Sequence, residues 1–544
     1  MTVKRQILKS ASVIALVTAI SRICGYLRDQ RVALLLGTSP AADAFILAFR
    51  IPNLFRRMSG GGALSASFIP VFTGSLRERS QRDALAFTQK LFWDIAAVMA
   101  VIGALGCIFS KQVVYIFTLF GGSTAHWDLA VFLNRIIFPC VVFIGLSALA
   151  TGVLNSFQVF GLPAATAVFF NLVVILFSFG FVYGPIARWA PERFRTPAVA
   201  LAVGVLLGTA VQLFAQVPAL VRRGMRFAPA LSISDPQVSK VGRLLGPAAF
   251  GMGVYQINFF VDTIFATSSR MPTGSVASLY IADRVMELVL GSYAIAVSTA
   301  LLPMMSHQAA AGKFGEMKQA FGFSLRVVSF ITIPAAVGLI LLRRPVIQVL
   351  FQHGLFVAES TALTAHALLF YSLGLPAYAA IKLITPMYYS TRDTATPARV
   401  GLWVLGLNIV LNACFLVFLF RYLSNGTPAL ASSVSAYFNF LALFVIFRKR
   451  FGRLGGKAIV ASLTKMAACA AGMGAVCFAG LRYSKWESIQ HIGPQAGVLA
   501  AMIAAAVLVY FGLARMLHCE ELPEFLLLLR RGEPAAIAAP ASDS

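Results

Sequence analysis

Apolar stretches long enough to cross a lipid bilayer follow one another along nearly the whole chain. That succession leaves few folds open. A helix rises about 1.5 Å per residue, so roughly 20 apolar residues span a hydrocarbon core of about 30 Å. Fourteen such stretches can be marked off, at roughly 8–36, 41–73, 85–109, 129–155, 162–184, 197–221, 238–267, 273–305, 318–342, 361–390, 396–420, 428–447, 457–481 and 494–517. The connections between them are too short for a separate soluble catalytic domain. Inside lipid the backbone must satisfy its own hydrogen bonds, which a helix does unaided. The sequence therefore predicts an all-α polytopic membrane protein of about fourteen transmembrane helices. With 59% hydrophobic and only 12% charged residues, it is neither an ordinary soluble domain, where about 25% are charged, nor a disordered chain.

The charge balance is unusual for so apolar a chain: 45 Lys and Arg against 20 Asp and Glu, a net +25. Location explains most of it. With the N-terminus inside, 25 of the basic residues fall on the cytoplasmic side and 10 on the opposite side. The positive-inside rule then places both termini in the cytoplasm. Lys4, Arg5 and Lys9 ahead of an apolar run resemble a secretory signal, but Arg22, Arg28 and Asp29 follow at once without a small-residue cleavage site. The seven cysteines form no CxxC pair and the six histidines no HExxH, so they read as packing residues rather than metal ligands.

The chain also repeats itself. An offset of 233 positions places Asp29 on Asp262, Ala63 on Ala296, Ser65 on Ser298 and Pro70 on Pro303. A neighbouring offset aligns Thr196-Pro-Ala-Val-Ala with Thr427-Pro-Ala-Leu-Ala. Six helices per half is an even number, so the halves share one orientation and should be related by an axis along the membrane normal. The expected organisation is an N-lobe over 1–226 (helices 1–6), and a linker with C-lobe over 227–450 (helices 7–12). Helices 13–14 follow over 451–518, then an interfacial segment and disordered tail over 519–544.

The residues that speak to function are ionisable groups inside spans, because each costs several kcal/mol to bury and so faces a partner or a wet cavity. The first span carries Arg22, Arg28, Asp29 and Arg31, the second Asp43, Arg50, Arg56 and Arg57, the eighth Asp283, Arg284 and Glu287. Asp43, Arg50 and Arg57 are seven apart and share a helix face, as do Arg22 and Asp29. Pro52 and Gly60-Gly61-Gly62 should break the second span. Arg284 and Glu287 are spaced to pair within one helix. Taken singly, these charges also suit interlobe salt bridges or snorkelling to headgroups. Taken together, the arginines outnumber the acids, which calls for an anion, and the guanidinium fork suits phosphate oxygens. An inside-negative potential of 100 mV favours outward movement of one negative charge by about 2.3 kcal/mol.

The segments SRICGYLRDQRVALLLG, ADAFILAFRIPNLFRR, GALSASFIPVF and YIADRVMELVLG resemble the MurJ (MviN) family of bacterial lipid II flippases, within the multidrug/oligosaccharidyl-lipid/polysaccharide exporter superfamily. The similarity is collinear over about residues 5–515. It implies a transporter, not an enzyme, that moves undecaprenyl-pyrophosphate-linked peptidoglycan precursor from the inner to the outer leaflet of the bacterial cytoplasmic membrane by alternating access. By motif matching, Arg22, Arg28, Arg56 and Arg284 would line a cationic cavity and hold the pyrophosphate. Asp29, Asp43, Asn53, Asp283 and Glu287 would be gating or structural groups. Helices 13 and 14 would hold the lipid tail. Some members bind sodium, for which Asp262, Asn408 and Asn412 could supply oxygen ligands here; helix–helix hydrogen bonding is the alternative role. The resemblance further implies lipid II and membrane lipids as partners, a monomer that works beside the cell-wall synthesis machinery, and no nucleic acid. The chain departs from the family at Gly61, where an acid is expected, at Val289, where proline is common, and at Leu355, where a basic residue is frequent. Other readings are an exporter of a different polyprenyl-linked glycan, a cation-coupled multidrug transporter, which an arginine-rich cavity disfavours, and an intramembrane prenyl or glycosyl transferase, for which no DDxxD-like cluster is present.

Overall fold

The computed structural model describes residues 3–58, 64–78, 80–119, 127–182, 184, 191–192, 195–230, 232, 235–484, 486–489 and 491–525. Side chains are described outside 3–15, 55, 57–58, 65–66, 247–256 and 292–303. Among the described residues no strand occurs. Among the described residues, each of the fourteen apolar stretches lies mainly on one helix or on consecutive helices. Eight helical stretches among the described residues are long and apolar enough to cross a membrane, nine if one bent pair counts as a span. The run Ala395–Phe451 counts once in that number, although it covers two of the fourteen stretches.

The chain divides into two compact units, the first running to Ala277 with His353–Val357 added, the second comprising the remainder. The first unit holds α1 (Val3–Leu36), α2 (Pro40–Met58), α3 (Leu64–Glu78), α4 (Gln81–Ile108), α5 (Ser110–Phe117), α6 (Trp127–Ile137), α7 (Cys140–Ser156), α8 (Gly161–Val182), α9 (Pro197–Phe214), α10 (Val217–Arg222) and α11 (Pro236–Ala266). It also holds the first residues of α12 (Ser275–Ala310). Helix starts are marked in the sequence. Ser80 and Asp83 form a reciprocal capping box at α4. Thr196 and Asp235 cap α9 and α11, each followed by proline at the first helical position. Pro52 lies inside α2, which ends at Met58, and α3 begins at Leu64. The stretch 129–155 is two helices, α6 and α7, bent by 40° at Phe138-Pro139. The core of this unit stacks Phe68 on Phe72 and Phe87 with ring centroids 5.1 and 6.0 Å apart. His353–Val357 joins the unit through the Leu355 N–H, which donates to the Leu34 carbonyl at 2.9 Å.

The second unit continues α12 and adds α13 (Phe314–Phe351), α14 (Ala358–Ser390), α15 (Ala395–Cys414), α16 (Thr427–Phe451), α17 (Gly456–Tyr483) and α18 (Ile492–Met516). A π turn at Phe415–Leu419 follows α15. α17 and α18 pack on α13 through Phe330, Met466, Met473, Met502 and Tyr510. The Tyr510 hydroxyl donates to the Phe330 carbonyl at 2.8 Å, and Trp486 Nε1 to Gln348 Oε1 at 2.8 Å. Beyond α18, Glu520 accepts from Arg326 at 2.8 Å, Glu521 forms an ion pair with Arg326 at 3.4 Å, and Ser462 Oγ donates to Glu521 Oε1 at 2.9 Å. The start of the expected interfacial segment is therefore pinned to α13 and α17; residues 526–544, including the expected disordered tail, lie outside the described residues. All seven cysteines are unbridged. The compact division at Ala277 groups α11 with the first unit.

Candidate functional site

On α1 the residues Leu16, Ile20, Ile23 and Leu27 are exposed and spaced four, three and four apart, one apolar stripe of a regular helix. Such a stripe suits lipid, and it turns the next residues inward: Arg28 and Asp29 are 8% and 5% exposed. A buried guanidinium is costly unless paired and hydrogen-bonded, and Arg28 is both. Its Nε and Nη2 donate to Asp29 Oδ1 at 3.0 and 2.6 Å, and its Nη1 donates to Asn171 Oδ1 on α8 at 3.0 Å. Its charge lies 5.6 and 5.7 Å from the ring centroids of Phe49 and Phe170, within cation–π range. One turn on, Arg31 is also buried; its Nε donates to Ser178 Oγ at 3.4 Å and its guanidinium lies 3.7 Å from the Phe179 centroid. α1 and α8 are thus joined by two arginines and their polar and aromatic partners. Arg22 is exposed, although it shares a helix face with buried Asp29.

α2 carries the second group. Asp43 is buried, and its two carboxylate oxygens accept the Gly274 and Ala277 N–H groups at 2.8 Å each. A carboxylate at the start of α12 satisfies orphan amides and meets the positive end of the helix dipole. The turn before α12 needs glycine at 274, where φ is +85° and a Cβ would stand 2.1 Å from the Thr38 carbonyl oxygen. Arg50 Nη1 donates to Thr263 Oγ1 on α11 at 2.5 Å. Arg56 is half-buried and its Nε donates to Asn53 Oδ1, one turn back, at 2.6 Å. Asp262, next to Thr263, is buried. The side chain of Arg57 and all of Gly61 lie outside the described residues, as do the side chains of Ser65, Ala296, Ser298 and Pro303 from the repeat.

In the second unit Asp283 is buried and Arg284 half-buried. Arg284 Nη1 donates to Glu287 Oε2 at 2.5 Å, the pairing expected from the i, i+3 spacing. The Arg284 charge lies 4.9 Å from the Tyr280 ring centroid. Asn408 and Asn412 are fully buried. The Asn412 amide donates to the Asn408 backbone and side-chain oxygens at 3.0 and 3.1 Å, and Asn408 donates to Ser432 Oγ on α16 at 3.3 Å. Among the described residues no three His, Cys, Asp or Glu gather as a metal cluster.

So the first unit brings Arg28 and Asp29 together, and Arg56 with Asn53; the second brings Arg284 together with Glu287, and Asn408 with Asn412. Sequence reasoning missed Asn171, Ser178 and Thr263. Applying to uncharged polar residues the rule used for charges would have flagged Asn171 at once, since it is the one amide in the run Ala164–Gly180.

The family model for lipid II flippase MurJ matches residues 32–493. This chain belongs to the MurJ family. It is 36% identical over 454 residues to a probable lipid II flippase MurJ of Vibrio cholerae, covering 81% of this chain and 83% of that one. The probable lipid II flippase MurJ of Rhizobium tropici is 32% identical over 538 residues, 96% of each chain. Among solved structures, a lipid II flippase MurJ in an inward closed conformation matches with a TM-score of 0.74 at 24% identity, covering 92% of this chain and 98% of that one. An inward-facing MATE-family transporter of the MOP superfamily matches with a TM-score of 0.61 at 14% identity, covering 81% and 95%. Both show the fold, an all-α architecture. The MurJ relatives are named as flippases, transporters rather than enzymes. Of the departures from the family pattern, Val289 is half-buried on α12 and Leu355 is exposed.

Proposed function

We propose that this multi-pass membrane protein is a lipid II flippase, carrying undecaprenyl-pyrophosphate-linked peptidoglycan precursor from the cytoplasmic to the periplasmic leaflet. The observation that carries the proposal is similarity to MurJ relatives over 96% of both chains, with 32% identity. The physical requirement is an anionic headgroup passing through a low-dielectric region, which needs fixed cations. Arg28 and Arg56 offer them in the first unit, Arg284 in the second, and Arg22 offers an exposed one. In this account Arg22, Arg28, Arg56 and Arg284 bind pyrophosphate oxygens during alternating access. Asp29, Asn53 and Glu287 hold the neighbouring guanidinium groups, Asp43 anchors the start of α12, and Asp283 is a further gating or structural charge. The diphosphate is driven outward by an inside-negative potential, about 2.3 kcal/mol per charge at 100 mV.

Fourteen spans in two six-helix repeats, with α17 and α18 as a lipid-tail groove, are part of the same proposal. So are cytoplasmic termini, supported by the 25 to 10 distribution of basic residues, and a monomer acting beside the cell-wall synthesis machinery. Sodium coupling is proposed on donor type: Asp262, Asn408 and Asn412 all offer oxygens, which hard cations take. Asn408 Oδ1 already accepts from Asn412, so an ion there would share that oxygen.

The test is complementation of a bacterium depleted of its own lipid II flippase. Growth with normal shape is expected; lysis despite good membrane insertion of this chain would overturn the proposal, and rescue of a different polyprenyl-glycan pathway instead would reassign the cargo.

A further inference from the structure

Asn171 is 5% exposed, in the middle of a helix whose other polar side chains are the hydroxyls of Thr166 and Ser178. Both ends of its amide are committed to α1. Oδ1 accepts from Arg28 Nη1 at 3.0 Å and Nδ2 donates to the Ser21 carbonyl at 3.3 Å. Ser21, Gly25 and Arg28 are spaced four and three apart, one stripe of α1, and the amide lies along it: a Cβ on Gly25 would come 3.6 Å from Asn171 Nδ2. Phe170, the residue before Asn171, stands against the same guanidinium. Asp29 holds the Nε and Nη2 edge of Arg28, through one carboxylate oxygen. The Nη1 end is held by Asn171. A carboxylate touching two of the three nitrogens through one oxygen fixes the guanidinium less tightly than contacts to all three nitrogens do. A neutral acceptor on the third nitrogen fixes the plane without cancelling the positive charge, as a second carboxylate would.

We infer that Asn171 is a positioning residue for transport: it fixes the orientation of the Arg28 guanidinium in which that cation meets the diphosphate of the lipid substrate. The inference rests on the lipid II reading of function and deepens it by assigning a residue on α8 to the arginine site. Asn171 acts through Arg28, not by touching substrate, so its effect must disappear when the arginine fork is gone.

The test is a double-mutant cycle on the full-length protein in proteoliposomes, with lipid II as the probe and outer-leaflet accessibility as the readout. Asn171→Ala and Asn171→Ser are each combined with Arg28→Lys, and thermal stability in detergent is followed in parallel. The expected result is a rise of about tenfold in the lipid II concentration needed for half-maximal flipping, the size of one lost charge-assisted hydrogen bond. The maximal rate should change little, while the unfolding temperature falls without loss of folded protein, because two hydrogen bonds of a buried amide are removed. In the Arg28→Lys background the same substitutions should change it less than twofold, because coupled residues are non-additive. Full additivity in the two backgrounds would overturn the inference, as would loss of folded protein for both Asn171 variants, which would assign the amide to helix packing alone. Absence of lipid II flipping by the unsubstituted protein would instead overturn the functional reading itself.

Discussion

Replacing Arg28 by Met should cost the protein more stability than replacing both Arg28 and Asp29 by uncharged residues. The Arg28 and Asp29 side chains are only 10% and 7% exposed, and two of the arginine nitrogens share one carboxylate oxygen at 3.0 and 2.6 Å. Removing the arginine alone strands a buried anion, which costs about 3–5 kcal/mol in proteins where it has been measured. The contacts to Phe49 and Phe170 at 5.6 and 5.7 Å add about 0.5–2 kcal/mol each. Methionine recovers part of that aromatic packing but not the charge. Arg28→Met combined with Asp29→Asn leaves no uncompensated charge, so only packing and ordinary hydrogen bonds are lost, about 1–2 kcal/mol. Thermal unfolding of the purified proteins in one detergent should therefore rank unsubstituted protein first, the double variant second and Arg28→Met last. Neither variant should flip lipid II, which separates stability from transport. A double variant no more stable than Arg28→Met would refute the stranded-charge argument, and an Arg28→Met protein as stable as the parent would refute the pairing.

Arg284→Ala should abolish flipping while lowering stability by no more than about 2 kcal/mol, the upper range for its contact with Tyr280, because its partner Glu287 lies on the same helix and is partly exposed; normal outer-leaflet precursor would refute the assignment. Asp43→Ala strips two buried amides of their acceptor and should lower stability by roughly 2 kcal/mol, with Asp43→Asn costing less; equal unfolding temperatures for parent and Asp43→Ala would contradict the cap. Asp393 lies between α14 and α15, outside the spans. Burial pushes its carboxyl pKa up, but hydrogen bonds from the Thr396 N–H and hydroxyl and from Arg450 outweigh this and hold it below the usual range. Its stabilisation is complete above the unfolded value of about 3.9 and is lost as pH falls through the folded one. The stability gap between parent and Asp393→Asn should be flat from pH 7 to 5 and shrink on further acidification; a gap that widens in acid would reverse the sign.

The helices were legible because lipid imposes one rule on every span: each stretch of about 20 apolar residues must be helical. Pro52 did not break the second span as expected but lies inside α2, and Gly60–Gly62 lie outside the described residues. The bend at Phe138-Pro139 was overlooked, although proline there removes a backbone donor. Within the site, Arg284 and Glu287 could be paired from spacing because i and i+3 meet on a helix. Arg28 and Asp29 could not, because neighbours on a helix do not face each other; only the length of the arginine side chain lets its nitrogens fold back onto the next residue. Asn171 lies 143 residues from Arg28, and no local pattern links them. Asp43 showed its charge in the sequence but not its task, since its partners are backbone amides, which every residue type but proline carries.

The central claim is tested most directly by reconstituting the purified chain in proteoliposomes holding lipid II in the inner leaflet, and measuring the appearance of the precursor outside with and without an inside-negative potential. The account predicts protein-dependent appearance that is faster with the potential and absent for Arg284→Ala. Precursor appearing outside at the protein-free rate under both conditions would contradict it.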